Sequence, residues 1–492
     1  MATPHFVFVD PELAADTDQV RRVMHAPTPY PGNPLVFDSD FCDREKITES
    51  AEEETGGDDQ HAYVDKARVA EGTHRWFNPS IFGRVGQIHS VVRSPLTGKL
   101  QMYYPVIGGL NLTDIGTTGG AFPTCYAESD DGIHWHMPNL GKFKVWGSGE
   151  NNIMFAPPAA AYVRIDPHQP DPEKRYIAFV HHGPRIYTSP DGINWSRPIR
   201  AQLETKIGRS DGDTFVGWNP AIGKYVALFR PWKEYPEEPE GRQLFRRIGW
   251  AMSDDLEHWY DHQCILSADE KDGPTAQIER LLAWPYQDFY LGLALVMKNF
   301  TEERRRYSFM MGSIYNELCF SRDTVRWHRF EERAPVLSAI PGVRSRGMIL
   351  PADAPIEVEE ELLFYYSQTQ HLHGQLPNFE NFAVAKLMKD RFSSWAAGAE
   401  EGFVETRPLV CPGGRLRINA DVREGDLRVG VILADGRHSV EHAAYRCNYI
   451  YGEQPSHTAT WQRTADLEAC KGQEVRLKFY LRNAEVFSFW FE

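Results

Sequence analysis

The chain lacks several features that define common protein classes. Its seven cysteines, at positions 42, 125, 264, 319, 411, 447 and 470, include no Cys-x-x-Cys pair, which argues against a disulfide framework or a zinc site. No apolar run approaches the length of a membrane span, and no basic segment followed by an apolar stretch stands near Met1. We therefore expect reduced, mostly buried thiols and a cytoplasmic protein.

Positive charge is also scarce. The 492 residues carry a formal net charge of −15, whereas binding to nucleic acid or to an anionic membrane requires a basic surface. We predict neither as a partner.

The sequence shows no long amphipathic helix. Its apolar runs, such as 175–180, 224–229 and 289–294, are short, rich in aromatic or β-branched residues and bounded by turn formers. This pattern predicts an all-β fold.

What the sequence does contain is a repeated motif, Ser-x-Asp-x-x-x-Trp. Four copies end at Trp135, Trp195, Trp259 and Trp327, spaced by 60, 64 and 68 residues, and another step of 68 reaches Trp395. A fixed period indicates a repeat architecture, and sixty-odd residues fit a four-stranded blade. Asp and Gly suit a tight turn, and Trp suits burial between sheets. We interpret the motif as structural and predict five blades.

The pattern changes after Trp395. From about residue 403 alternating strands continue without the motif, which is typical of a β-sandwich. We predict a five-bladed β-propeller over residues 1–402, with an N-terminal extension and an acidic insert at about 43–75, followed by a C-terminal β-sandwich over residues 403–492. The insert is interpreted as a solvated loop, with a lid as the alternative.

The predicted blades have long loops on one face only. These loops follow the second strand of each blade and cover residues 105–123, 181–185, 231–246, 297–314 and 367–381. Binding residues concentrate on loops held by a rigid scaffold. We therefore expect a pocket on this face.

Three stretches carry a resemblance to a known family. The Ser-Asp-Asp-Gly-x-x-Trp pattern, Tyr-Ala-Glu-Ser at 126–129 and Val-Phe-Ser-Phe-Trp-Phe at 486–491 resemble the five-bladed propeller glycosidases of glycoside hydrolase family 32, with relatives in families 43 and 68, and most of all uncharacterised bacterial proteins near family 32. The resemblance implies a glycosidase. The family's Asn-Asp-Pro-Asn, Arg-Asp-Pro and Glu-Cys motifs do not stand here in that form, and the nearest stretch, residues 76–81, has Asn-Pro without Asp. The resemblance therefore assigns neither a fructan substrate nor a retaining mechanism.

Glycoside cleavage needs one protonated and one ionised carboxyl group, which we expect at the starts of the inner strands. Glu279 interrupts the apolar run at residues 278–283 and is the predicted acid, with a raised pKa if it faces an apolar axis near another carboxylate. Asp211 or Asp213, on either side of a glycine, is the predicted ionised partner. The structural alternatives are an ion pair of Glu279 with Arg280 or Arg346 and a plain turn at Asp211 and Asp213.

Other residues of the inner-strand starts and the rim are predicted to bind the saccharide through guanidinium forks, hydrogen bonds and ring stacking. They are Glu150, Asn152, Arg346, Arg209, His89, His182, His371, Trp76, Trp146 and Trp232. His181-His182 with His371-x-His373 could instead ligate a metal or act as acid and base. We predict neither a metal nor a cofactor.

The leading hypothesis is a glycoside hydrolase or transglycosylase acting on a small, furanose-containing or unusual oligosaccharide. The first alternative is a polysaccharide lyase that uses the His, Tyr and Arg residues of the rim. The second is a non-catalytic carbohydrate-binding propeller. In each case the predicted partner is a saccharide, and homo-oligomerisation stays open.

Overall fold

The computed structural model describes residues 4–40, 77–78, 83–85, 87–107, 123–143, 149–155, 161–180, 185–203, 210, 213–230, 246–299, 312–340, 347–369, 372–373 and 380–492. Within these ranges the chain consists of β-strands, and helical geometry occurs in three-residue 3-10 turns at Pro172–Lys174, Glu270–Asp272, Ala444–Arg446 and Glu468–Cys470. The predicted all-β fold is confirmed. The acidic insert at 43–75 and large parts of the predicted rim loops lie outside the described residues.

The chain forms two compact units. The smaller unit comprises Met1–Pro27, Glu357–Leu362 and Leu387–Glu492, and the larger comprises Thr28–Ile356 and Leu363–Lys386. In the part of the chain that the structure covers, no helix is long and apolar enough to cross a bilayer.

The larger unit contains four sheets, in which most neighbouring strands are antiparallel. The first sheet contains β5 Val36–Ser39, β6 Phe77–Asn78, β7 Gly83–Val85, β8 Ser90–Arg93, β9 Leu100–Ile107, β10 Thr124–Ser129, β11 His134–Met137 and β12 Ile153–Phe155. The second contains β13 Ala161–Ile165, β14 Tyr176–Val180, β15 Arg185–Ser189 and β16 Ile199–Arg200. The third contains β17 Gln202–Leu203, β18 Thr214–Asn219, β19 Lys224–Phe229, β20 Ile248–Ser253 and β21 His258–Leu266.

The fourth sheet has nine strands, and most of their residues belong to the larger unit. They are β22 Ala276–Tyr286, β23 Phe289–Asn299, β24 Gly312–Ser321, β25 His328–Arg329, β26 Met348–Pro351, β27 Ile356–Val358, β28 Glu361–Thr369, β29 Glu380–Met388 and β4 Thr28–Pro29. A parallel bridge between Ile314 and Met348 joins the group β22–β25 to the group that begins with β26. Strand β4 pairs with β29, so that a segment from early in the chain completes the last group.

Strands from the four sheets of the larger unit are connected through one side chain, Arg164 of β13, and its partner Asp353. Its guanidinium group donates to the carbonyl of Val216 in β18 (3.4 Å), to that of Ala283 in β22 (2.6 Å) and to Asp353 Oδ2 just beyond β26 (2.6 Å). The amide of Asp353 donates in turn to the carbonyl of His89, next to β8 (2.8 Å). This chain of bonds brings β8, β13, β18, β22 and the end of β26 together.

The repeated motif forms the same turn in all four copies. In the first copy the Ser129 hydroxyl accepts a hydrogen bond from the amide of Gly132 (2.8 Å), and Asp131 accepts from the amides of Ile133 and His134 (2.8 Å each). The same bonds form around Asp191, Asp255 and Asp323. These hydrogen bonds give the backbone amides of the turn acceptors and so stabilise it. The structural interpretation of the motif's Asp is confirmed.

The motif's tryptophans are buried to different degrees. Trp135 and Trp259 are 2% and 1% exposed, whereas Trp195 and Trp327 are half-buried. The indole N–H of Trp259 donates to the turn carbonyl of Leu256 (2.9 Å), so its polar edge is satisfied inside the apolar surroundings. Burial of the motif's Trp is therefore complete in only two of the four copies.

Trp395 does not belong to a fifth copy. It lies in β30 Ser393–Ala397 of the smaller unit, where that strand pairs with β3 Val20–Met24 and with β36 Ala484–Phe491. The prediction from spacing was wrong here, because Lys389 and Arg391 stand where the other four copies have the Ser and Asp of the turn. Equal spacing along the chain does not specify which strands pair.

The smaller unit is one branched sheet of ten strands. Besides β3, β30 and β36 it contains β1 His5–Val7, β2 Ala14–Asp18, β31 Gly402–Thr406, β32 Leu409–Val410, β33 Leu416–Leu433, β34 Ile450–Thr458 and β35 Glu474–Arg482. The first half of the long strand β33 pairs with β36 and its second half with β35. The alternating apolar residues of these strands, such as Val475, Leu477 and Phe479, form the core.

The described cysteines carry no disulfide. Cys125, Cys319, Cys411, Cys447 and Cys470 are buried, and Cys264 is exposed. Burial raises the pKa of the Cys319 thiol to about 12, which keeps it protonated and unreactive. The predicted reduced, mostly buried thiols are confirmed for these six residues.

Candidate functional site

The candidate site begins with an irregularity in β22. Ile278 pairs with Val296 and Arg280 pairs with Leu295, so Glu279 is the extra residue of a β-bulge. A bulge changes the direction of neighbouring side chains and is frequent next to functional sites. Here it gives Glu279 and Arg280 different surroundings although they are adjacent in sequence.

Glu279 is held by two arginines from the third sheet. One carboxylate oxygen pairs with Arg230, which directly follows β19, and the other lies 3.0 Å from Nε of Arg246, which precedes β20. Arg230 also donates to the carbonyl of Glu279 (3.0 Å). The predicted structural alternative was an ion pair with Arg280 or Arg346, but the described partners are Arg230 and Arg246.

The electrostatics of Glu279 differ from those expected of a proton donor. Burial raises the pKa of the carboxyl, but the positive charges of Arg230, Arg246 and His373 lower it by more, to about 2. The expectation of a raised pKa was therefore wrong. The expectation considered only burial and a second carboxylate, whereas the structure places cations within reach. Glu279 is ionised at neutral pH.

Asp213 connects to Glu279 through a short chain of contacts. Ser210 and Asp213 are completely buried, and the Ser210 hydroxyl donates to Asp213 Oδ1. The Ser210 hydroxyl also accepts from the amide of Arg230 (2.9 Å), the residue that pairs with Glu279. We call Ser210, Asp213, Arg230, Arg246 and Glu279 the carboxylate network. It brings the predicted pair Glu279 and Asp213 into one hydrogen-bonded system.

A second group of side chains lies around Arg164, where β8, β13, β18, β22 and the end of β26 are connected. His89 is buried and stacks on Tyr162 of β13, with ring centroids 4.4 Å apart and planes 8° apart. The guanidinium carbon of Arg280 lies 5.0 Å from the centroid of the same Tyr162 ring. We call His89, Tyr162, Arg164, Arg280 and Asp353 the central cluster. Of these five residues, only His89 was predicted to bind the substrate.

The remaining described candidates lie in different environments. Asn152 is completely buried, and its amide donates to the Tyr104 hydroxyl (2.8 Å) and to the carbonyl of Tyr126 (2.7 Å). Glu150, two residues earlier, is exposed. The contacts of Asn152 support the first sheet, because they tie its segment to β9 and β10.

Eight candidates cannot be placed, because they lie outside the described residues. They are Asp211, Arg209, Arg346, His182, His371, Trp76, Trp146 and Trp232. The predicted metal alternative involved the His pairs of the rim, of which His373 is described and contributes positive charge near Glu279. Among the described residues, no group of three or more His, Cys, Asp or Glu side chains is arranged to hold a metal ion.

Sequence reasoning missed Arg230 and Arg246 of the carboxylate network and Arg164 of the central cluster. Arg230 follows the apolar strand Lys224–Phe229, and Arg164 stands inside the strand Ala161–Ile165. A charge next to or within a buried strand is the same signal that identified Glu279. The two groups together contain an ionised carboxylate, a second buried acid and a stacked aromatic pair.

Comparison with known proteins gives only distant likenesses. No protein-family model and no curated protein matches the chain. Among solved structures, a glycosyl hydrolase from Bacteroides ovatus is 14% identical, with a TM-score of 0.42 over 63% of this chain and 86% of that chain. A β-1,2-mannobiose phosphorylase from Listeria innocua is 13% identical, with a TM-score of 0.38 over 63% and 91%. An N-acetylgalactosamine deacetylase from F. plautii is 13% identical, with a TM-score of 0.37 over 59% and 86%. At such low identity and structural overlap, these likenesses assign neither a family nor a reaction to this chain.

Proposed function

We propose that the chain is a glycoside hydrolase or transglycosylase that acts on a small saccharide through the carboxylate network. The observation that supports this most is the buried connection from Glu279 through Arg230 and Ser210 to Asp213. Glycoside cleavage requires two carboxyl groups on either side of the scissile bond, and their common neighbour Arg230 supports Glu279 and Asp213 as that pair.

The proposed roles follow from protonation. Glu279, with a pKa of about 2, is ionised and is a weak base, so it suits a nucleophile or a stabiliser of the oxocarbenium-like transition state better than a general base. The proton for the leaving oxygen then comes from Asp213 or Asp211. This assignment exchanges the roles that the sequence predicted for Glu279 and its partner.

We also propose that the fold is a five-bladed propeller followed by a β-sandwich. The strand groups β8–β11, β13–β16, β18–β21, β22–β25 and β26–β29 with β4 support a five-bladed propeller. The long strand β33, whose first half pairs with β36 and second half with β35, supports a β-sandwich in the smaller unit. The resemblance to glycoside hydrolase family 32 stays a prediction on this basis. Furanose-containing oligosaccharides are accordingly the first substrates to test.

The test is a screen of the purified chain against nitrophenyl glycosides and oligosaccharides, followed by two variants. Glu279→Gln and Asp213→Asn should each lower kcat/KM by about a hundredfold or more on the substrate found. The control is Glu317→Gln, because Glu317 is also buried and pairs with an arginine, Arg329 (2.7 Å), but lies outside the carboxylate network. That variant should lose stability while keeping kcat/KM for the fraction that folds.

Other outcomes contradict the proposal. An unsaturated product would identify β-elimination and a lyase, and binding of saccharides without any turnover would identify a binding protein. Near-parental kcat/KM in both Glu279→Gln and Asp213→Asn would remove the carboxylate network from the chemistry.

A further inference from the structure

Arg280 differs from the other buried arginines of the larger unit in its surroundings. It is 8% exposed, and its guanidinium group faces the Tyr162 ring in the central cluster. In the ranges that the structure describes, its side chain makes no ion pair, and its Nε is buried without a hydrogen-bond acceptor. Asp353, the nearby carboxylate, is bonded to Arg164 instead.

Arg329 in the same unit shows what a paired, buried arginine looks like. It pairs with Asp272 (2.6 Å) and Glu317 (2.7 Å). Burial lowers the pKa of Arg329, but these two carboxylates raise it by more, so that the net shift is upward. For Arg280, burial lowers the pKa to about 10, and Asp353 offsets only part of the effect.

A buried cation without a bonded anion is costly, and such groups persist where a ligand completes them. A guanidinium fork matches the geometry of carboxylate, sulfate and phosphate oxygens. Tyr162, on which His89 stacks, packs against the guanidinium group of Arg280 and holds its position. An oxyanion would complete the guanidinium group of Arg280, and the proposed function makes a sugar its carrier.

We propose that Arg280 binds an acidic group of the saccharide, so that the substrate class is acidic saccharides: uronic acids or sugars with a sulfate or phosphate ester. This inference rests on the proposed function and names its substrate class. Arg280 is then a specificity-determining residue, separate from the carboxylates that carry out the cleavage.

Calorimetric titration of the full chain with matched ligands tests the inference. Galacturonate is compared with galactose, and glucuronate, glucose 6-phosphate and glucose 6-sulfate are each compared with glucose. Inorganic phosphate is titrated separately to test whether a free anion binds. In at least one pair the acidic member should bind about tenfold to a hundredfold more tightly. Arg280→Gln should abolish this preference while leaving the affinity for the neutral member unchanged.

Two further variants guard against misfolding. Arg280→Lys retains the charge without the fork and should keep part of the preference, even if Arg280→Gln fails to fold. Arg333→Gln removes a largely buried arginine that pairs with Asp269 in the same unit, and it should leave the preference intact. Thermal unfolding of each variant identifies the folded preparations.

Several results would overturn the inference. They are equal binding of acidic and neutral members, a preference that survives in Arg280→Gln, or Arg280-dependent binding of inorganic phosphate without any preference for acidic sugars. If neutral sugars are cleaved in a Glu279-dependent manner without such a preference, this inference fails and the proposed function stands. If an acid preference appears without turnover, the proposed function fails and the role of Arg280 stands.

Discussion

Nε of Arg246 lies 3.0 Å from Oε2 of Glu279, while Arg230 pairs with the other oxygen of the same carboxylate. The two arginines stand at the two ends of the connection between β19 and β20, so one connection supplies both cations. An acid buried between two cations stays ionised, because their charges outweigh the penalty of burial. This relationship decides which chemical role Glu279 can have.

The first prediction concerns pH. The folded-state pKa of Glu279 is about 2, below its ordinary value of 4.5, so its contribution to stability is present above about pH 4.5 and is lost as the pH falls towards 2. The difference in unfolding free energy between the parent and Glu279→Gln should therefore shrink over that interval. Urea denaturation at a series of pH values measures it.

Asp353 supplies a control of opposite sign. Burial raises its folded-state pKa although Arg164 lowers it in part, so the stability linked to its protonation is present below about pH 3.8 and is lost as the pH rises. The difference between the parent and Asp353→Asn should accordingly change with pH in the opposite direction. Parallel slopes for the two variants would contradict both assignments.

The second prediction concerns the repeated tryptophans. Trp259 is 1% exposed and packs against Phe179 and Phe229, with ring centroids 5.9 and 5.8 Å away. Trp259→Ala should lower the free energy of unfolding by about 3–5 kcal/mol. Trp195→Ala should cost clearly less, because Trp195 is half-buried. Chemical denaturation measures both, and equal losses would show that burial does not distinguish the copies.

The third prediction concerns the motif's glycine. Gly192 has a φ of +80°, and a Cβ there would collide with the Tyr103 hydroxyl, whereas Gly223 has a φ of +62° and open space around it. Both Ala variants incur the cost of a left-handed backbone, about 1–2 kcal/mol. Gly192→Ala should cost more because of the collision. If thermal unfolding gives the same loss for both, the collision is relieved by movement of Tyr103.

The fourth prediction concerns the centre of the larger unit. Asp353→Ala leaves Arg164 buried without its 2.6 Å partner and should cost about 3–5 kcal/mol. The double variant Arg164→Met with Asp353→Leu should recover part of that loss, because no unpaired charge is left. A double variant as unstable as the sum of the single variants would show that the pair is not coupled.

Much of the fold was predictable because its determinants are local. The Ser, Asp and Gly residues of each motif specify a turn through bonds to amides two or three positions away, and the strand runs are visible from composition. Strand pairing is not local. The sequence therefore did not indicate that Val20–Met24 pairs with Ser393–Ala397, or that Thr28–Pro29 completes the last group of the larger unit.

The same division applies to the candidate site. The sequence by itself determined that Glu279 is a charged residue inside an apolar strand, because a single carboxylate among Ile and Leu is visible without any partner. Only the tertiary structure decided its protonation, because Arg230 and Arg246 approach it from another sheet. The β-bulge at Glu279 gives the next residue, Arg280, different surroundings, so that its guanidinium group packs on Tyr162 and does not pair with Glu279. The charge and polarity of a side chain follow from its residue type, whereas its pKa and its ion-pair partners depend on which strands become neighbours.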